Sequence, residues 1–163
     1  MFVLKVVPGT EMVTKKLIED KGYKALCPRK IKTLRRKYRY TEVEKVIFTG
    51  YLFLDIELIS DKDYYKIKGI VNVIGFLDSK HNLDDVDIKY IKLLNNNDKA
   101  IDKILVSFDE KRKAIVYNLD TSKSNNYLNT RNVLRVNARD QTITFSFKID
   151  NLDKNVTFNY EEI

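Results

Sequence analysis

The sequence predicts an α+β protein, an antiparallel sheet with helices on it followed by a small β-barrel. Three observations lead there. Up to about residue 94, strand-like and helix-like runs follow the order βαβ, hairpin, βαβα, which suits helices packed on an antiparallel sheet. "NNNDKAIDK", Asn95 to Lys103, is polar and aperiodic and reads as a linker. Beyond it the texture changes: all five glycines lie at or before Gly75, and from Leu105 onward only short alternating strands follow. The domains are therefore expected at 1–95 and 104–163, joined by 96–103.

The opening strand is Phe2 to Val7, apolar but for Lys5. Thr10 then suits a helix N-cap, Glu11 the positive end of the helix dipole, and Gly22 the C′ position. Met12, Val13, Leu17 and Ile18 offer that helix an apolar face. Tyr23 to Cys27 is a second strand closed by Pro28, and the loose alternation of Ile31, Leu34, Tyr38 and Tyr40 predicts a long hairpin returning to Val46. "VIFTGYLFLDI", Val46 to Ile56, reads as a buried strand except at Gly50, and a glycine there marks a bulge, a strand entrance or a close backbone approach.

In "LISDKDYYKIKG", Ser60 and Asp63 form a start resembling a capping box, and Gly69 ends the helix. "IVNVIGF" is the next strand. "LDDVDIKYIKLLN" places Val86 or Ile88, Ile91 and Leu94 at helical spacing behind an acidic first turn. The final module reads as "ILVSF", "KAIVYNL", "NVLRVN", "TITFSFKI" and "VTFNY", five short strands of a small barrel, with "LDTSKSNNYLNT" its most loop-like stretch.

The charge is concentrated. Lys24, Arg29, Lys30, Lys32, Arg35, Arg36, Lys37 and Arg39 stand in one stretch without an acidic residue, so that stretch carries +8 of a chain total of +7 and the remainder carries −1. Two readings follow. A charge run can be a solvated face. With Tyr38 and Tyr40 interleaved, it also suits a hairpin lying near a phosphate backbone, where cations displace counterions and tyrosines stack on bases.

Several classes are set aside. No apolar run approaches the ~20 residues of a membrane span, and Lys5 interrupts the apolar start where a signal peptide would continue. Cys27 is the only cysteine, so the chain is expected to be cytoplasmic and to form no internal disulfide. His81, the only histidine, sits in a polar loop, and Cys27 beside Pro28 reads as a buried thiol. Asp84, Asp85 and Asp87 could hold a metal but fit a helix N-terminus more simply. No glycine-rich phosphate loop is present. An enzyme, a cofactor and a bound metal are not expected.

Six segments in order resemble the NusG family of transcription elongation factors: the opening strand; "PGTE" for the family's T/S-G-x-E, with its amphipathic helix; "CPRK" before the basic hairpin; "FTGYLFLDI" for F-P-G-Y-L-F-V; "VNVIGFL" for G-V-x-x-F-L-G; and "LDDVDIKYI" for the last helix. The match runs from Phe2 to about Leu94, the family's N-terminal (NGN) domain. The tail from Asn132 follows the last strands of its KOW domain, an SH3-like barrel. The first half of that module is degenerate, with Thr121 to Leu128 standing where the family has glycines.

The resemblance implies a partner and a site. In the family, aromatics around the F-P-G-Y glycine form a hydrophobic depression that receives the clamp helices of the RNA polymerase largest subunit. Carried over, Phe2, Phe48 and Tyr51 would be anchors, Gly50 the turn that lets the partner approach, and Phe53 a core residue. Arg29, Lys30, Lys32, Arg35, Arg36, Lys37 and Arg39 would face DNA or nascent RNA around the cleft. The chain is expected to act as a monomer that favours processive elongation or antitermination.

Departures refine this. Thr49 replaces proline in F-P-G-Y, Met1 and Phe2 replace a W-Y start, and Asn72 replaces the glycine of G-V. "PGTEM" lacks the basic side chains with which some specialised members hold the non-template strand, and Asp63, Tyr64 and Tyr65 give no firm match. Asp150, Asn151 and Leu152 stand where general members have F-G-R, which points to a specialised paralogue of the LoaP or RfaH kind. The alternatives are a housekeeping factor coupling to Rho or the ribosome, and a stand-alone RNA- or ribosome-binding module.

Overall fold

A computed structural model describes residues 1–77, 82–117, 132–149 and 152–163. His81, Thr121 to Leu128, Asp150 and Asn151 lie outside the described residues. The chain packs as two compact units, one made of Met1–Pro28 and Val46–Asp98, the other of Arg29–Lys45 and Lys99–Ile163. The hairpin read with the first domain is thus grouped with the second, and the boundary falls between Asp98 and Lys99, inside the stretch read as linker.

The first unit is built on a four-stranded antiparallel sheet. Its strands are β1 (Phe2–Val6), β2 (Ala25–Leu26), β5 (Tyr51–Leu54) and β6 (Val73–Phe76), in the order β2-β5-β1-β6. Its helices are α1 (Glu11–Asp20), α2 (Asp61–Lys68) and α3 (Asp85–Asn95). Strand alternation sorts the side chains. Phe2, Leu4, Val6, Leu52 and Leu54 on one face join Ile18 of α1, Ile67 of α2 and Ile70 in a single core, while Val3, Phe53 and Leu26 form a buried cross-strand row on the other.

Local chemistry sets the helix ends. Gly22, at φ +89°, closes α1 in a Schellman arrangement: its N–H donates to Glu19 O at 2.9 Å and the Tyr23 N–H to Ile18 O at 3.3 Å. Ser60 caps α2 by accepting the Asp63 N–H at 3.1 Å and donating to the Asp63 carboxylate at 2.7 Å. Asp84 caps α3 by accepting the Asp87 N–H at 2.9 Å. Thr10 differs from expectation: it makes no side-chain cap and donates instead to the Val7 carbonyl at 2.7 Å. The face of α1 differs too. Glu11, Thr14 and Ile18 are buried while Met12 and Val13 are exposed.

The second unit is a curled five-stranded sheet, a half-barrel of the small SH3-like kind. It comprises β7 (Lys103–Phe108), β8 (Ala114–Tyr117), β9 (Val133–Asn137), β10 (Thr142–Ile149) and β11 (Leu152–Glu162), in the order β8-β7-β11-β10-β9. Ile143, Phe145, Phe147 and Ile149 alternate inward on β10 and meet Val156, Phe158 and Tyr160 of β11. The hairpin, β3 (Arg29–Arg36) with β4 (Arg39–Val46), joins this unit at its root. There Ile31 N–H donates to Ile101 O at 2.7 Å, Ile101 N–H to Arg29 O at 2.9 Å, and Asn159 Nδ2 to Thr33 Oγ1 at 3.1 Å.

Candidate functional site

Gly50 sits at the entrance to β5, one of the two central strands of the first sheet. The Tyr51 N–H donates to Phe48 O at 3.1 Å, closing a four-residue turn with Gly50 in its third position at φ +83°. That is the geometry of a type II turn, whose third position needs positive φ and whose second favours proline; here Thr49 fills the second. The turn is tied down on both sides. The Val6 N–H donates to Gly50 O at 2.9 Å, and the Gly50 N–H donates to Glu11 Oε1 at 2.7 Å.

Glu11 organises a second loop as well. Its two carboxylate oxygens each accept the Gly9 N–H at 3.1 Å, and the side chain is buried. A buried carboxylate is costly unless its lone pairs are met, and here backbone donors meet them. One side chain therefore fixes the "PGTE" loop to the "FTGY" turn. Asn72, where the family has glycine, adopts φ +70° and its carbonyl accepts the Val7 N–H at 2.9 Å. Asparagine is among the few residues that tolerate this region.

The aromatics around the turn divide by burial. Phe48 is 1% exposed and packs edge-to-face on Phe53 at 5.3 Å, and Phe2 is 4% exposed and meets Phe76 at 6.3 Å. The structure places both rings in the core: the turn aims Phe48 at Phe53, and the alternation of β1 aims Phe2 into the helix-side core with Leu4 and Val6. Tyr51 alone is half-buried at the surface. Strand register then sets beside it residues that sequence spacing does not single out. Lys5 pairs with Tyr51 on one side and Gly75 on the other, and the next residue on β6, Ile74, is exposed.

On the hairpin, the seven cations fall into two groups. Arg29 is mostly buried in an ion pair with Glu44 at 2.6 Å. Lys30 donates to the Thr157 carbonyl and lies over the Phe158 ring at 5.5 Å. Burial, then the neighbouring Lys32 and Lys154, bring its amine down to about 8. The ring face and the carbonyl favour the ammonium, but desolvation outweighs them. Lys32, Arg35, Arg36, Lys37 and Arg39 are exposed, as are Tyr38 at 91% and Tyr40 at 73%.

The Tyr23 hydroxyl donates to Asp63 at 2.6 Å, linking the entry to β2 with the start of α2. That bond pushes the Tyr23 phenol up to about 12 and holds the Asp63 carboxyl below its usual range. Tyr64 stacks on Phe76 at 4.8 Å, while Tyr65 is exposed. Among the described residues no cluster of metal-ligating side chains occurs, and no helix is long and apolar enough to cross a membrane.

Residues 1–94 match the family described as "Transcription termination factor nusG". Among solved structures, the chain is similar to one titled "Domain interaction in Thermotoga maritima NusG", at 14% identity and a TM-score of 0.55, covering 97% of this chain and 92% of that one. A second, "Crystal Structure of MjSpt4:Spt5 complex conformation A", gives 16% identity and a TM-score of 0.35, covering 96% and 91%. A comparison with curated proteins returns no match. The first structure shows the fold; the family match, spanning more than half of the 163 residues, shows that this chain belongs to the NusG family of transcription factors.

Proposed function

We propose that this chain binds the clamp helices of the RNA polymerase largest subunit through the sheet face beside the Gly50 turn, and that it favours processive elongation or antitermination at selected operons. The observation that carries the reading is the turn itself. Glu11 and Val6 hold Gly50 rigidly at φ +83°, so Tyr51 stands at the surface in one row with Lys5 and Gly75, next to the exposed Ile74. Phe48, packed on Phe53 behind the turn, supports that surface, and the buried Gly50 acts by shaping the turn that presents Tyr51. A partly exposed tyrosine with an apolar neighbour is the composition of an interface hot spot.

The exposed hairpin cations Lys32, Arg35, Arg36, Lys37 and Arg39 lie against nucleic acid in the same complex, where they act on phosphates with little regard to sequence. The specialised rather than housekeeping role rests on the tail, where Asp150, Asn151 and Leu152 replace the F-G-R of general members.

Binding of the full chain to a fragment carrying the clamp helices tests the proposal. Tyr51→Ala with Ile74→Ser should weaken that binding at least about 10-fold while leaving the fold intact. Equal affinity of wild type and variant would overturn this site. Changing Arg36, Lys37 and Arg39 together to Ala should leave the fragment affinity unchanged. The same change should flatten the slope of log K against log salt for duplex DNA by up to about 2.7, at ~0.9 per phosphate contact.

A further inference from the structure

Within the second unit, a cleft of about 660 Å³ opens between the β3–β4 hairpin and the curled sheet. Arg35 and Tyr40 line it from the hairpin, Lys103 from β7 and Arg139 from the β9–β10 turn, with Thr142 and Asn159 also facing it. The two walls are joined at the hairpin root. Asn159 donates to Thr33 Oγ1, Ile31 and Ile101 exchange backbone bonds with Ile101 and Arg29, and Lys30 reaches the Thr157 carbonyl. The separation of the walls is thereby set by hydrogen bonds that do not involve the lining cations.

The chemistry of the cleft is specific. Three cations face it against one carboxylate, Asp140, which already accepts Asn137 Nδ2 at 2.8 Å. Lys103 meets Glu161 only loosely, at 3.8 Å, with both side chains about half exposed. The Arg35 guanidinium lies over the Tyr40 ring at 5.9 Å and steadies an otherwise exposed aromatic face. Cations around an exposed ring, with hydroxyl and amide groups beside them, make a platform for a base and its phosphates. The volume lies within the ~300–1,000 Å³ range of ligand clefts, enough for unpaired nucleotides and too small for a duplex. An acidic peptide would use the cations but would leave the ring without a role.

We infer that this cleft binds single-stranded nucleic acid, with a base stacked on Tyr40 and phosphates held by Arg35, Lys103 and Arg139. The inference rests on the proposed nucleic-acid role of the hairpin and extends it to Lys103 of β7 and Arg139 of the β9–β10 turn. It does not depend on polymerase binding.

The test is fluorescence anisotropy of the full chain with labelled oligothymidylate, oligouridylate and a duplex of equal length. Both single strands should bind more tightly than the duplex, and the ratio between them tells RNA from DNA as the preferred source. Tyr40→Ala should weaken single-strand binding at least about 5-fold, and Tyr40→Phe should retain it. Lys103→Ala with Arg139→Ala should flatten the single-strand salt slope by about 1.4, at ~0.7 per contact. Tyr40, Lys103 and Arg139 are exposed, so these variants should melt as the wild type does; Arg139→Gln serves if the double variant does not.

If the Arg36, Lys37 and Arg39 variant loses binding while Tyr40 and Arg139 variants do not, the cleft is overturned and the hairpin reading stands. If no nucleic acid binds at all, both fall. Competition by polyglutamate with no effect of Tyr40→Ala would assign the cleft to an acidic protein and overturn the inference.

Discussion

The buried Glu11 carboxylate accepts the Gly50 N–H at 2.7 Å, across 39 residues of sequence. Together with the bonds from Gly9, this makes one side chain the link between two loops. Glu11→Ala leaves the buried Gly50 N–H without its acceptor, while the N–H of the exposed Gly9 can turn to water, and should destabilise the first unit by about 1–3 kcal/mol, the cost of one orphaned group. Glu11→Gln keeps one acceptor oxygen and should cost less. Urea unfolding of both variants measures this; an Ala variant as stable as wild type would remove Glu11 from its linking role.

Gly50 and Thr49 should respond in opposite directions. Gly50→Ala forces a Cβ onto a residue at φ +83°, costing about 1–2 kcal/mol. The added atom meets Pro8 Cγ and Val6 O only at ordinary contact distance, 3.5 and 3.7 Å, so strain and not collision sets the cost. Thr49→Pro restricts the unfolded chain at a turn position that accepts proline, and should stabilise by about 0.4–1 kcal/mol. Thermal unfolding of the two single variants gives both signs.

Phe48 and Tyr51 should separate stability from binding. Phe48→Ala empties a core position and should destabilise by about 3–5 kcal/mol. Tyr51→Ala should leave melting nearly unchanged and weaken the clamp-helix fragment. Calorimetric melting beside fragment titration distinguishes them. Loss of cooperative melting in Tyr51→Ala would make that residue part of the core as well.

Lys30 should make the second unit more stable in mild alkali. In the unfolded chain its amine holds a proton up to about 10.5, but in the folded unit it releases it near 8. Between those values the unfolded state binds more protons, so stability rises with pH; it is fully present above about 10.5 and lost as pH falls through about 8. The side chain keeps partial solvent contact, so the gain is only a fraction of the full shift. Lys30→Met keeps the contact with Phe158 and should abolish this component. The difference between wild-type and variant unfolding curves from pH 7 to 10.5 is the measurement, and a flat difference would refute it.

Much of this architecture is written in short stretches of sequence. The caps at Ser60 and Asp84, the glycine ending α1 and the strand alternation of the last module all depend on groups a few residues apart, and each is legible without the fold. A positive-φ requirement at Gly50 is of the same kind. Tertiary structure decided the rest, because burial and pairing depend on residues far away in the chain. Lys30 and Lys32 look alike in sequence, yet only Lys30 is drawn over Phe158 by the Ile31–Ile101 pairing. Phe48 and Tyr51 are equally aromatic, yet the turn points one at Phe53 and leaves the other at the surface. Glu11 reads locally as a complement to its helix dipole, and only the approach of Gly50 turns it into a buried acceptor. Lys5, Gly75 and Arg139 carry no local signal, since what makes them candidates is strand register or a shared cleft, and neither exists until the chain has folded.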